Sequence, residues 1–303
     1  MTQIDARQTV PRRRSRRERG ERFYPYLFLA PAIVLIVAVL AYPVLKGIRD
    51  TFFRIDLYQI GEPFIGLENY IEVLRDPIFL NSLTRSVVFV VATVVVGTAM
   101  SMAFALALHH IGFGTRAFRA VSLVPYLVSG VASGVMFRFL FTSEGGLVPY
   151  VMDVFGIESS LSLASPAQAM IIVIIANIWH ITPFATLIVL GGLQMMNKEM
   201  LEAARIDGAN SWQSFTAVVL PSLAPQVALT LVWLTFASFN IFDLIMPLTG
   251  GGPNRATDVL AIYMYSLGFT ELNYSKASVV MVCLLVINTA LSGLYLKIFP
   301  KDD

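Results

Sequence analysis

The sequence predicts an all-α polytopic membrane protein: six transmembrane helices with a cytoplasmic loop projecting between the fourth and fifth. Three observations carry that expectation. Apolar residues make up 56% of the 303 positions and charged residues 14%, against roughly 25% charged in an ordinary soluble domain. Mean hydropathy is +0.70. Apolar stretches of the length a bilayer-spanning helix needs, about 20 residues, recur along the chain. This composition excludes a water-soluble globule and a disordered chain. A secreted disulfide scaffold is excluded too, because Cys283 is the sole cysteine and can neither pair within the chain nor build a zinc site.

Residues 1–23 form a basic tail with eight arginines: Arg7, Arg12, Arg13, Arg14, Arg16, Arg17, Arg19 and Arg22. Basic residues stay on the cytoplasmic side of a membrane, so this tail is expected inside. An even number of spans then puts both termini there. With that orientation fourteen of the 22 Lys and Arg residues lie on inner segments. Topology signalling and attraction to lipid head groups account for the arginine run without nucleic acid. A cleaved signal peptide is the competing reading of residues 1–45, but the apolar stretch is longer than a signal core and no small-residue cleavage site clearly follows it.

The expected spans are 26–45, 87–108, 120–141, 169–190, 227–248 and 278–298, within a membrane domain of 24–298 and before a short inner tail, 299–303. All contain Gly, Ser, Thr, Pro or Asn, the small and polar residues that let membrane helices approach closely. The outer segment 46–86 has its own apolar periodicity in Phe64, Leu67, Tyr70, Ile71 and Leu74, which predicts a short surface helix. A second outer loop, 142–168, contains Gly145 and Gly146.

The histidines His109, His110 and His180 are not at metal-ligand spacing with a carboxylate, and there is no nucleophile elbow. Lys46, Lys198, Lys276, Lys297 and Lys301 are followed by Gly, Glu, Ala, Ile and Asp. A phosphate-binding P-loop needs Lys followed by Ser or Thr, so any ATP that drives this protein binds another chain.

The inner loop 197–225 is the most informative segment. Asn197 is a candidate N-cap for a helix through Arg205, built of strong helix formers. Asp207–Gly208 stops it, since Gly tolerates a left-handed C-cap. Asn210 or Ser211 then caps a second helix carrying Trp212, Phe215 and Val218, closed by Pro221 and Pro225. The residues alone fit either a hairpin lying on the inner leaflet or one docking a partner through Met200, Leu201 and Ala204.

Glu202-Ala203-Ala204, then Asp207-Gly208-Ala209, then Leu220-Pro221, resembles the EAA loop in permease subunits of binding-protein-dependent ABC importers. Phe64-Ile65-Gly66-Leu67-Glu68-Asn69-Tyr70, Phe239-Asn240-Ile241-Phe242-Asp243 and Thr249-Gly250-Gly251-Gly252-Pro253 resemble the carbohydrate-uptake branch, the maltose, trehalose and glycerol-phosphate type. The resemblance covers most of 24–298. It implies that the loop is a coupling helix seated in a cleft of a separate ATPase. There Glu202 makes a polar contact, Ala203 and Ala204 permit close approach, and Gly208, after Asp207, holds the turn. It also implies a second homologous permease, an ATP-binding subunit dimer carrying ATP and magnesium, an extracytoplasmic sugar-binding protein, and residence in the bacterial cytoplasmic membrane. No cofactor and no catalysis are expected in this chain.

A polar side chain within a span is costly unless it faces protein or a wet cavity. Tyr126 and Ser129, with Gly130 and Ser133 on nearly the same face, mark span three. Asn177 and His180, followed by Thr182 and Pro183, mark span four. Ser238 and Asn240, with Asp243 near the outer end, mark span five. Hydroxyls, amides and an aromatic face suit a neutral sugar or polyol, and the resemblance places sugar contacts at Tyr126, Asn177 and Ser238. Each group can instead bond a neighbouring helix. Some family members carry further amides where this chain has Gly130 and Ile241. Arg138 is expected to snorkel to the outer interface.

The expected mechanism is alternating access driven by the ATPase. The alternative is a secondary transporter or channel without an ATPase, against which stand the long inner loop and the lack of acid/base pairs within the spans. An intramembrane enzyme is disfavoured by the missing His/Asp/Glu constellation.

Overall fold

The computed structural model describes residues 24–57, 60–110, 115–142, 145–156 and 162–299. The arginine tail and residues 300–303 lie outside the described residues. The chain forms two compact units, dividing after Arg49.

The described residues of the first unit form one helical rod. Helix α1 (Tyr24–Ile36) passes through a π-turn at Val37–Ala41 into α2 (Tyr42–Asp50). Pro43 cannot donate a backbone bond, and just before it the Tyr42 N–H reaches back to the Val37 carbonyl, the wider spacing of a π-bulge. Phe28, Val34, Leu35, Val39 and Leu45 are all more than half exposed. Through Leu45 the rod is apolar on every side, which suits lipid or a deep core, and Lys46, Arg49 and Asp50 end it.

The second unit begins with a short platform. Phe53 and Phe64 form an isolated bridge, and α3 (Glu68–Arg75) follows. Asn69 is buried because its amide donates to the carbonyls of Thr51 and Phe53, at 2.8 and 2.9 Å. The expected surface helix is present: of the five periodic residues Phe64, Leu67, Ile71 and Leu74 are exposed and Tyr70 is half-buried, while Asn69 and Val73 are buried. Glu72 links Arg54 and Lys276 at 3.2 and 2.8 Å.

Helix α4 (Pro77–His110) runs 34 residues, begun by Asp76, whose carboxylate accepts from Ile78 N–H at 2.8 Å, with Pro77 in the first helical position. Next come α5 (Thr115–Ser122), α6 (Val124–Leu127), α7 (Gly130–Phe141) and α8 (Leu147–Val154). Helix α9 (Pro166–Met195) has 30 residues and carries Pro183 inside it. The inner loop holds α10 (Lys198–Ile206), α11 (Ser211–Ser214), a π-turn at Phe215–Val219 and α12 (Leu220–Ser222). Then α13 (Ala224–Phe239), α14 (Ile245–Leu248), α15 (Leu260–Tyr265) and α16 (Tyr274–Ile298) complete the chain.

Helices α4, α9 and α13 pack as the centre of this unit. Small residues set their closeness: Gly97 of α4 faces Leu234 of α13, and Ala105, Ala176, Ala185 and Ala228 are buried. One apolar cluster includes Phe89, Ile172, Leu234, Leu244 and Leu260, and a second includes Met102, Leu190, Leu193, Val219 and Leu223.

Four described helices are long and apolar enough to cross a membrane, or five if the bent pair Ser211–Ser222 and Ala224–Phe239, turned by 70°, counts as one. Two of the six expected spans are interrupted. Span three breaks where Val128 and Ser129 are extended, with ψ of 136° and 145°. Ser129 therefore caps α7 instead of sharing a helical face with Tyr126. Span five ends at Phe239, breaks through Asn240–Leu244, and resumes as the single turn α14.

Candidate functional site

The hairpin of residues 197–225 is built from local signals. Asn197 Oδ1 accepts from Glu199 N–H at 2.9 Å and starts α10. At its end Gly208 has φ +83°, Gly208 N–H donates to Arg205 at 3.1 Å, and Ala209 N–H donates to Ala204 at 3.0 Å. This two-bond closure requires a left-handed residue, which Gly supplies without a Cβ penalty. Asn210 and Gln213 then exchange side-chain and backbone bonds, both 2.9 Å, in a capping box that begins α11.

Leu201 turns inward onto the inner apolar cluster. Glu202, Ala203, Asp207 and Gly208 are exposed, and Ala204 is half-buried. Beside them Met200, Ile206 and Trp212 are 51%, 85% and 71% exposed. The expected ATPase-coupling residues thus share one protruding, rigidly capped element edged with apolar side chains. Ile206, which sequence reasoning passed over, is the most exposed of these.

Within the membrane-length helices, Asn177 and Ser238 meet and Asn240 stays apart. Asn177 is fully buried, and its Nδ2 donates to Ser238 Oγ at 3.2 Å and approaches Thr93 Oγ1 at 3.5 Å. This polar bridge ties α9, α13 and α4 together. The other amide atom, Asn177 Oδ1, is buried without a hydrogen-bond partner. Asn240 is exposed, and its amide donates back to the Phe236 carbonyl at 2.8 Å, closing the end of α13.

His180 lies one turn from Asn177. Its Nδ1 is 3.1 Å from the carbonyl of Pro125. A carbonyl only accepts, so Nδ1 carries hydrogen and in the neutral ring Nε2 keeps the lone pair. Tyr126 stacks on Phe184 with ring centroids 5.0 Å apart, and Phe184 packs on Trp233 at 4.5 Å. Tyr126 is also 6.3 Å from His180. Trp233 Nε1 is buried with no partner. Phe184 and Trp233 belong to this group, although apolar aromatics within a span read as packing; the indole N–H was the available signal, since it normally finds an acceptor when buried. Ser129 is exposed at the start of α7, where its Oγ accepts from Ala132 N–H at 3.3 Å.

On the other side of the span-five break, the Gly250–Gly252 turn is closed by hydroxyls. Thr257 Oγ1 donates to the Gly252 carbonyl at 2.9 Å and lies 2.7 Å from Thr249 Oγ1. Asp258 pairs with Arg255 at 3.2 Å. Burial pushes its carboxyl above the ordinary value of 3.8, with Arg255 and Arg85 pulling back.

Long apolar helices, a polar and aromatic group between them and an exposed capped hairpin are the architecture of a polytopic membrane protein. Residues 97–301 match the family described as "Binding-protein-dependent transport system inner membrane component", and the chain belongs to that family. It is an ABC importer permease, not an enzyme, and the ATPase is a separate subunit. That membership sets aside the secondary transporter and the channel.

The sn-glycerol-3-phosphate transport system permease protein UgpA of Agrobacterium fabrum is 34% identical over 278 residues, covering 91% of this chain and 94% of the relative. The trehalose/maltose transport system permease protein MalF of Thermococcus litoralis is 31% identical, with the same coverage of each. In fold, the chain is similar to a solved bacterial ABC transporter "involved in the import of the acidic polysaccharide alginate". The TM-score is 0.79 at 21% identity, covering 93% of this chain and 96% of the other.

Proposed function

We propose that this permease moves a carbohydrate, a di- or oligosaccharide or related polyol, into the cell by alternating access. It crosses the inner membrane six times, with spans three and five crossing as broken segments and both termini in the cytoplasm. Domain limits follow that topology: the basic tail 1–23, the permease domain 24–298 and the inner tail 299–303. A second homologous permease completes the pathway, and an extracytoplasmic sugar-binding protein delivers the substrate. A dimer of ATP-binding subunits holds ATP and magnesium. The relatives' printed substrates, a glycerol phosphate and trehalose or maltose, support the substrate class.

The observation that carries the reading is the hairpin. Glu202, Ala203, Asp207 and Gly208 stand exposed on an element fixed at both ends by caps, which is what transmitting force to another subunit demands. Closure of the ATPase dimer moves the hairpin, the helices rock, and the pathway opens outward. Such coupling needs one element with two arrangements that both sites bias. Tyr126, Ser129 and His180 line the substrate pathway, Phe184 and Trp233 extend its aromatic wall, and Asn177 with Ser238 stiffens that wall from behind. Asn240 joins the pathway from the exposed end of α13.

The test is copurification with the neighbouring subunits, followed by a panel of sugars with the binding protein, read as stimulated ATP hydrolysis in proteoliposomes. Association with an ATPase and stimulation by a sugar are expected. An intact complex that no sugar stimulates, or a chain that never binds an ATPase, would refute the reading.

A further inference from the structure

Behind the hairpin lies a cavity of about 1050 Å³ that the transport cycle described above does not use. We propose that it holds an anionic phospholipid of the inner leaflet, with the lipid phosphate at Arg205. The inference rests on the inward placement of the hairpin in the proposed topology.

The cavity is lined mostly by apolar side chains, with a polar minority. One wall is the inner end of α4, with Ala99, Met102, Ala103 and Leu106 below His109. From Ala99 to His109 is a rise of about 15 Å at 1.5 Å per residue. That is half of the roughly 30 Å hydrocarbon core, the depth of one leaflet. The facing wall is Trp212, Phe215 and Val219 of the hairpin, so apolar surface lines the acyl depth on both sides.

Arg205, Asn210 and Ser211, at the turn between α10 and α11, line the cavity together with His109 and Ser214, and no acidic side chain lines it among the described residues. Arg205 is exposed. A guanidinium with an amide and a hydroxyl beside it suits a phosphate diester, and basic pockets between helices on the cytoplasmic side recognise anionic head groups. A soluble phosphate would use the polar groups and leave the apolar shaft empty. A lipid matches both. Because the hairpin forms one wall, the bound lipid braces the element that meets the ATPase, and coupling becomes sensitive to the anionic content of the membrane.

The experiment purifies the full chain with its partner subunits and measures retained phosphatidylglycerol by native mass spectrometry. Sugar-stimulated ATP hydrolysis is then compared in phosphatidylethanolamine vesicles with and without phosphatidylglycerol. Wild type should retain the anionic lipid and be stimulated by it. Arg205→Gln should lower retention about fivefold, the effect of one basic side chain near an anionic surface, and Ala103→Trp should fill the shaft and lower it too. Should Ala103→Trp fail to fold, Arg205→Gln at its exposed position decides alone. Wild-type retention in Arg205→Gln, equal retention of phosphatidylcholine, or displacement by inorganic phosphate alone would overturn the proposal. A chain that keeps the lipid but binds no ATPase would refute the transport reading and leave the lipid site standing.

Discussion

Gly134 of α7 lies so close to the carbonyl of Leu244 that a Cβ at position 134 would overlap it, and would meet the Pro247 ring at 2.7 Å. One turn earlier, a Cβ at Gly130 would fall on the carboxylate of Asp243. The break in span three and the break in span five are therefore packed on each other through two glycines.

The two obstructions differ in kind. A backbone carbonyl and a proline ring cannot step aside, whereas the Asp243 side chain can rotate. Gly134→Ala should cost about 1–3 kcal/mol, the usual range for overpacking, and Gly130→Ala should cost less. Thermal unfolding of the detergent-solubilised complex reads both. A larger loss at Gly130 would mean that Asp243 is fixed in place.

Gly208→Ala places a Cβ on a residue with φ +83° and should loosen the end of α10. Gly208→Pro is incompatible with that angle and should abolish transport and ATPase association while the protein still inserts. Copurification and uptake assays check both variants, and normal uptake by Gly208→Pro would contradict the coupling role.

Asn177, Ser238 and Thr93 form one bridge, so their substitutions should couple. Ser238→Ala should destabilise by about 0.6 kcal/mol, the average for bonds between membrane helices. Asn177→Leu should cost more, because it strands two hydroxyls, and should impair uptake in an assembled complex. A double-mutant cycle in thermal unfolding gives the coupling. Unchanged uptake by Asn177→Leu at every sugar concentration would remove that residue from the pathway wall.

Asp258 has a carboxyl raised by burial, which means that folding favours its protonated form. The stability it contributes is present below 3.8, its ordinary value, and is lost as pH rises through the higher folded value. The melting temperature of Asp258→Asn relative to wild type should therefore climb as pH rises from acid towards neutral. A difference that is flat with pH would show that the Arg255 pair compensates the burial.

The inner hairpin was legible because each of its signals is local: Asn197, Gly208 and Asn210 act on backbone groups a few residues away. Spans two, four and six were legible from apolar length, although Asp76-Pro77 and Ser165-Pro166 start α4 and α9 earlier than hydropathy alone places them. The breaks at Val128–Ser129 and after Phe239 were hidden, because both lie inside apolar runs and are stabilised by contacts between distant segments. For the same reason Asn69 was unreadable as a buried residue: the carbonyls it satisfies belong to Thr51 and Phe53. Phe184 carries no sequence mark that separates it from ordinary packing, and Trp233 offers only its indole N–H.

Helix α4, at 34 residues, measures about 51 Å, well beyond the hydrocarbon thickness. Its C-terminal end borders the hairpin cavity, and near its N-terminal end Ser86 Oγ accepts from Leu260 N–H at 2.7 Å, while Asp76, just before its first turn, accepts from the Tyr263 hydroxyl at 2.6 Å. It is an unbroken lever with a load at each tip. A swing of about 5° at one end would carry the other by roughly 4 Å over that length, more than the length of either hydrogen bond.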